Sequence, residues 1–194
     1  MYLCAFFLKD MFYENVIRPF IKEIYKNPDK TAAKIGNKII TNSQVLQLIA
    51  PIMNELDALS IERVGIFIEK EINVYAAIIA AMFNNITVIP IFNSLNETQI
   101  DKLRLELGFS EILTSKRMHY YYWMTYEDAL CRIDNGLYSI PDEKIILIDS
   151  CIDKHSNIIK NEFRAGDFKQ MKKFSYLDFF NLILPNNTEP CFTF

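Results

Sequence analysis

Glycine is scarce, with five residues in a chain of 194. A glycine-rich phosphate cradle needs several glycines within one short loop. Here they stand apart, at positions 36, 65, 108, 136 and 166. Histidine is rarer still, and neither His119 nor His155 is tied by a motif to a serine or cysteine, so no nucleophile–base pairing is legible. Cys4, Cys131, Cys151 and Cys191 show no C-x-x-C spacing. Zinc sites need clustered ligands, so no metal is expected. Sparse cysteines in a chain of this length suit free thiols in a reducing compartment, and the expected location is cytoplasmic. Charge of one sign is also lacking: 21 basic against 24 acidic residues leave a net charge of -3, which calls for neither nucleic acid nor an anionic membrane. No apolar run approaches the roughly 18 residues of a membrane span. Residues 1–8 are apolar but carry no basic leader, and Lys9 and Asp10 interrupt them before any small-x-small cleavage site. Residues 1–11 therefore read as a short extension ahead of the domain.

What is present is apolar material. Hydrophobic residues make up 51% and aromatics 13% of the chain, ample for the core of one ordinary domain. Residues 12–26 place Val16, Ile17, Phe20, Ile21 and Ile24 at helical spacing. Two short runs flank Gly36-Asn37, the signature of a tight hairpin. Thr41-x-x-Gln44 then has the spacing of a capping box. The helix it opens carries Val45, Leu48, Ile49, Ile52, Met53 and Leu56 on one face, with a kink expected at Pro51.

Residues 63–68 form a buried-strand pattern, 74–83 an alanine-rich helix, and 87–91 a second buried strand ended by Pro90 near its edge. A helix at 96–107 and strands at 111–114 and 144–149 follow. Strands alternating with helices imply an α/β fold with a mostly parallel sheet. Within 116–141, a short helix is expected at 125–133, and Tyr120, Tyr121, Tyr122 and Trp123 read either as a packed loop or as an aromatic surface. Residues 151–173 are polar and read as an exposed excursion. A helix at 175–184 and a strand at 191–194 complete the series. No internal repeat, low-complexity tract or domain boundary appears. Asp149 ends a strand, where α/β ligand sites often form, but with no partner group it reads as a cap.

Several segments carry a family resemblance. Ile40-Thr41-Asn42-Ser43-Gln44-Val45-Leu46 resembles the first core motif of the adenylate-forming (AMP-dependent synthetase) superfamily, a Leu-Thr-Tyr-x-Glu-Leu type segment, with Asn42 in place of the tyrosine. Residues 82–91, M-F-N-N-I-T-V-I-P-I, resemble the second, Leu-Lys-Ala-Gly-x-Ala-Tyr-Val-Pro-Ile. Asn85 stands where that motif has glycine; asparagine is the next best residue at positive φ. The likeness covers residues 12–115 and resumes at 144–149. Residues 189–194, E-P-C-F-T-F, resemble the strand that leads into the family's phosphate-binding loop, and nothing resembling that loop occurs in the sequence.

The resemblance implies a partial adenylation domain at 12–194, incomplete at its C-terminus. It implies a lineage of acyl-CoA synthetases and nonribosomal peptide synthetase adenylation domains, leaning slightly to the latter. Thr41, Gln44, Asn85 and Pro90 are structural elements of these motifs, and no catalytic, cofactor-binding or metal-binding residue is assigned. ATP and Mg are expected of the complete enzyme and neither of this segment. Three readings stay open: an inactive fragment, half of a split synthetase completed by a downstream partner chain, and a stand-alone α/β binding module.

Overall fold

The computed structural model describes residues 18–35, 38–69, 71–118, 124–135, 140 and 143–170. The expected features at 12–17, Gly36-Asn37, 120–123, 175–184 and 189–194 lie outside these residues.

Helix α1 (Arg18–Lys26) precedes an antiparallel pair, β1 (Thr31–Ile35) and β2 (Lys38–Thr41). Helix α2 (Asn42–Leu59) follows, with Pro51 inside it. Its first turn is fully closed. Thr41 Oγ1 accepts from the Gln44 N–H, and Gln44 Oε1 accepts from the Thr41 N–H at 2.9 Å, so both halves of the capping box form. The Asn42 and Ser43 N–H groups donate to the carbonyls of Lys30 and Pro28. The preceding turn thus takes up the donors that an N-terminus ordinarily leaves free.

Strand β3 (Arg63–Phe67), helix α3 (Ile72–Phe83), strand β4 (Thr87–Ile91), helix α4 (Glu97–Leu107) and strand β5 (Glu111–Leu113) form the parallel crossover region. Short α5 (Ser115–Met118) and α6 (Tyr126–Asn135) lead to β6 (Ile145–Ile152) and β7 (Ile158–Arg164), with a 3-10 turn at Ala165–Gln170. The five-stranded sheet runs β5-β3-β4-β6-β7, parallel except for β7. This is the expected α/β class with one antiparallel edge.

Three expectations need correction. The described part of the expected 151–173 excursion, residues 151–170, is no simple excursion: β6 continues to Ile152, and β7 returns antiparallel beside it. Strand β7 is mostly exposed, so its polar residues face solvent and concealed the strand. Asp149, expected as a cap, lies inside β6 opposite Asn161. Pro90 does not end β4 and does not sit near an edge; it pairs with Ile66 at the sheet centre. Thr87 N donates to Glu62 O and Ile68 N to Ile91 O, so the odd-numbered residues of β4 face β3. By alternation Pro90 faces β6. There the paired residues are Val88 and Leu147, and the missing proline N–H leaves the ladder one bond short at Pro90.

The sheet separates two apolar layers. On one face Val64, Ile66 and Val88 join α3, α2 and α6 residues in the main core. On the other, Ile89, Ile91 and Ile148 pack with Leu103 and Leu107 of α4 and with Phe109. Gly65 belongs to this second face. A Cβ there would stand 2.7 Å from both Ile91 Cδ1 and Phe109 Cε2, closer than carbon atoms tolerate.

Helix α3 ends in a Schellman motif: Ile86 N donates to Ala81 O at 2.8 Å and Asn85 N to Met82 O at 3.1 Å. Asn85 takes the left-handed conformation, φ 57°, as its place in the second motif implies. Polar bonds then tie the helices together. Asn84 Nδ2 donates to Met53 O, and Arg132 of α6 reaches Asn54 and Asp57 of α2 as well as Asn84.

Gly65→Ala is expected to destabilise by about 1–3 kcal/mol through overpacking, seen as a lower urea midpoint at unchanged m-value. At the α3 terminus, Asn85→Ala should cost about 1 kcal/mol, the penalty of a left-handed residue with a Cβ and no local hydrogen bonding. Asn85→Gly should match or exceed the wild type, because it relieves φ and removes a buried, unbonded Oδ1. Equal loss for both variants would contradict this account of the turn.

Candidate functional site

In α/β sheets ligands gather at the carboxyl ends of the strands, and helix N-termini opening there attract anions. The described carboxyl edge is poorly suited to a phosphate. The N-cap of α3 is Glu71, whose side chain makes no capping bond. Glu69 lies two residues earlier with a buried Oε2 that has no hydrogen-bond partner among the described residues; Lys70 between them lies outside those residues. The N-terminus of α4 is closed by a second capping box, Asn96 with Gln99, at 3.0 Å in both directions. Along β6, Asp149 is half-buried. The buried Ser150 hydroxyl finds no partner among the described residues.

A cavity of about 370 Å³ opens at the opposite, amino edge, where β3, β4 and β6 begin. Glu62, Arg63, Thr87, Glu143, Lys144 and Ile145 line it. Arg63 Nη1 donates to Leu107 O at 2.6 Å, placing a cation on the negative end of α4. The Thr87 hydroxyl donates to Ile145 O, and Lys144 O accepts from Ala165 N. Burial holds the Lys144 ammonium below the usual lysine range; Arg63 pushes the same way and Glu62 opposes. The arrangement is two carboxylates, a committed guanidinium and an amine enriched in its neutral form. It is a mixed-charge notch with no nucleophile–base pair among its described lining residues.

The residues singled out from the sequence do not converge on this cavity. Thr41 and Gln44 are occupied in capping α2, and Asn85 and Pro90 shape the entry to and course of β4; none lines the notch. His155 is exposed in the turn between β6 and β7, where its N–H donates to Asp153 Oδ1 at 2.8 Å. Cys131 and Cys151 are exposed and in no disulfide. Among the described residues no group of three or more His, Cys, Asp or Glu side chains could hold a metal ion. No helix among them is long and apolar enough to cross a membrane. Sequence reasoning passed over Arg63 and Lys144. Each opens an apolar run, but nothing local says that two such openings, 81 positions apart, become neighbours.

No protein-family model and no curated protein sequence matches the chain. Solved structures do resemble it. The N-terminal subdomain of Klebsiella oxytoca NpsA, in complex with 3-hydroxyanthranilyl-AMSN, superimposes with a TM-score of 0.59 at 14% identity, over 78% of this chain and 40% of that one. Vibrio cholerae AlmE, an adenylation domain in complex with glycyl-adenosine-5'-phosphate, gives 0.63 at 11% identity, over 81% and 38%. The nonribosomal peptide synthetase FmoA3 gives 0.57 at 15% identity, over 79% and 18%. The chain therefore has the fold of part of the N-terminal subdomain of adenylation domains, and it spans about two fifths of the first two of these chains.

The lowered Lys144 pKa has a definite sign. Between its folded value and the ordinary 10.5, the unfolded chain holds the proton and the folded chain does not, so stability gains from this group as pH rises through that window. Lys144→Gln is expected to flatten the alkaline end of the stability–pH curve. In limited acetylation near pH 8, Lys144 should react ahead of exposed lysines such as Lys154; a slower Lys144 would refute the assignment.

Proposed function

We propose that the chain is the N-terminal part of an ATP-dependent carboxylic-acid adenylating ligase, in which an acid is activated as an acyl- or aminoacyl-adenylate with release of pyrophosphate and then passed to a thiol as a thioester. The observation that carries this is the superposition on adenylation-domain subdomains. The two resembling motifs support it, since they occupy defined structural stations: the box that opens α2 and the turn that feeds the central strand β4. The ligands named for those neighbours are acyl- and aminoacyl-adenylates or their analogues, which favours an acid-activating role within the lineage.

ATP, with Mg, belongs to the complete enzyme on this reading, and the described residues do not fit it. The N-termini of α2 and α4 are closed by their own side chains, and that of α3 presents Glu71. Of the described glycines, Gly65 is packed within a strand, Gly108 ends α4 and Gly166 lies in the 3-10 turn. Charge developing on a transferred phosphate needs preorganised donors and cations, whereas α2 and α4 use their free donors on their own caps and α3 presents a carboxylate. The segment's role is accordingly that of a scaffold for residues contributed from elsewhere.

A second, related reading is half of a split synthetase completed by another polypeptide. ATP–pyrophosphate exchange decides between activity and scaffold. The isolated chain should give none with amino, aryl or fatty acids. Co-expressed with the polypeptide encoded directly downstream, the split-enzyme reading requires co-purification and recovered exchange. Exchange by the isolated chain in a clean preparation would overturn the scaffold role.

A further inference from the structure

Strand β7 is an outer strand of the described sheet, and its sequence is physically palindromic. Centred on Asn161, the order is Ile159, Lys160, Asn161, Glu162, Phe163: an apolar residue and a cation on one side, an anion and an apolar residue on the other. Ile159 is 52% exposed, one of four large hydrophobic residues in that state among the described residues. Lys160 and Glu162 are paired only with each other in the described structure, at 2.9 Å across solvent.

Backbone alternation shows which groups of β7 face outward. Asn157 O accepts from Asp153 N, and Ala165 N donates to Lys144 O, so the odd-numbered positions of this segment face β6. The even-numbered positions, Ile158, Lys160, Glu162 and Arg164, present their N–H and C=O groups to the free edge. Arg164 conforms: its N–H is turned outward and is taken by Asp167 Oδ2 at 2.7 Å. That bond closes one end of the edge and leaves the donors and acceptors of Lys160 and Glu162 open.

We propose that β7 is a homodimerisation strand, which pairs antiparallel with β7 of a second copy of this chain about a two-fold axis at Asn161. In that register Lys160 lies opposite Glu162 of the second copy, and Glu162 opposite its Lys160. Both pairs fall at outward-facing positions, so each exchanges two backbone hydrogen bonds. Ile159 lies opposite Phe163 of the second copy at the closer, non-hydrogen-bonded spacing, which covers the exposed isoleucine. Opposite charges and apolar residues directly across a ladder are the favourable pairings, and an isologous contact requires this self-complementarity. A long unpaired edge otherwise invites unspecific addition; the Asp167 cap and the charge order restrict it to one register. The interaction is independent of the ligase reading.

Two charge variants test it. The wild-type chain is expected to show a concentration-dependent monomer–dimer equilibrium by sedimentation, with a midpoint on the order of 0.1–1 mM because one short strand pair buries less than a standard interface. Lys160→Glu puts like charges opposite each other twice, and so does Glu162→Lys; each should weaken self-association about ten-fold or more. Mixed together, the two variants are complementary at both pairs and should associate as a heterodimer at least as well as the wild type. That recovery also proves both variants folded. Failure of the mixture to associate beyond either variant alone, or a wild type monomeric to several millimolar, on the same concentration scale, overturns the proposal. So does protection of the Lys160 and Glu162 amides from hydrogen exchange in dilute monomer, which would mean that another segment of the same chain already covers the edge.

Discussion

Residues 73–83 of α3 are buried without a break, and a helix with no solvent face needs cover on every side. Strands β3 and β4 lie along one side, α2 along another, and α5 touches it as well. Its small residues, Ala76, Ala77, Ala80 and Ala81, are fully buried and let the neighbouring backbones come close. Helix α2 is in turn held by α1, by α6 and by the β1–β2 hairpin. The order of layers follows from this one requirement. Each large apolar side chain buried here contributes on the order of 1.5–3 kcal/mol, whereas a cap contributes about 1 kcal/mol. Burial decides that α3 exists, and the caps decide where it and its neighbours stop.

Polar groups at the layer boundaries fix the relative positions that burial leaves loose. Hydrophobic contact is non-directional, so α6 could slide along α2 at little cost. Arg132 prevents this by bonding Asn54 and Asp57 one turn apart while also reaching Asn84 at the end of α3. Arg63 does the same on the other face, joining the start of β3 to the end of α4. Arg132 uses the planar fork that a lysine lacks, bonding through Nε and Nη2 together.

The elements legible in the sequence were those whose pattern is local. The Thr41–Gln44 box, the apolar face of α2, the alternation of β3, α3, β4 and α4, and the left-handed turn at Asn85 all declare themselves within a few residues. A second box of the same spacing, Asn96-x-x-Gln99, was equally legible and went unread. Strand β7 was not legible, because an edge strand facing solvent carries Lys160, Asn161 and Glu162 and loses the apolar signal that marks β3 or β4. The place of Pro90 was misjudged for a related reason. A proline in a central strand removes one ladder bond, and here the loss falls on the β6 side, where the pairing is short; the side on which it falls is a property of the assembled sheet. The amino-edge notch, built from Arg63, Thr87 and Lys144, depends on strand order and was beyond any local pattern.

The same distinction bears on function. Phosphate-handling folds of this architecture leave a helix N-terminus open at the carboxyl edge of the sheet, since unsatisfied N–H groups and the helix dipole there do the binding. In this chain the first turn of α2 is filled by Lys30 O, Pro28 O and the Thr41 side chain, and α4 is closed by Asn96. Each closure stabilises the helix it caps and removes a potential anion site. Glu71 at the head of α3 acts in the same direction by charge. These elements are therefore optimised for holding their own layers together, at the expense of the one feature by which they could bind a nucleotide. A segment built this way presents a rigid sheet and a covered helix layer.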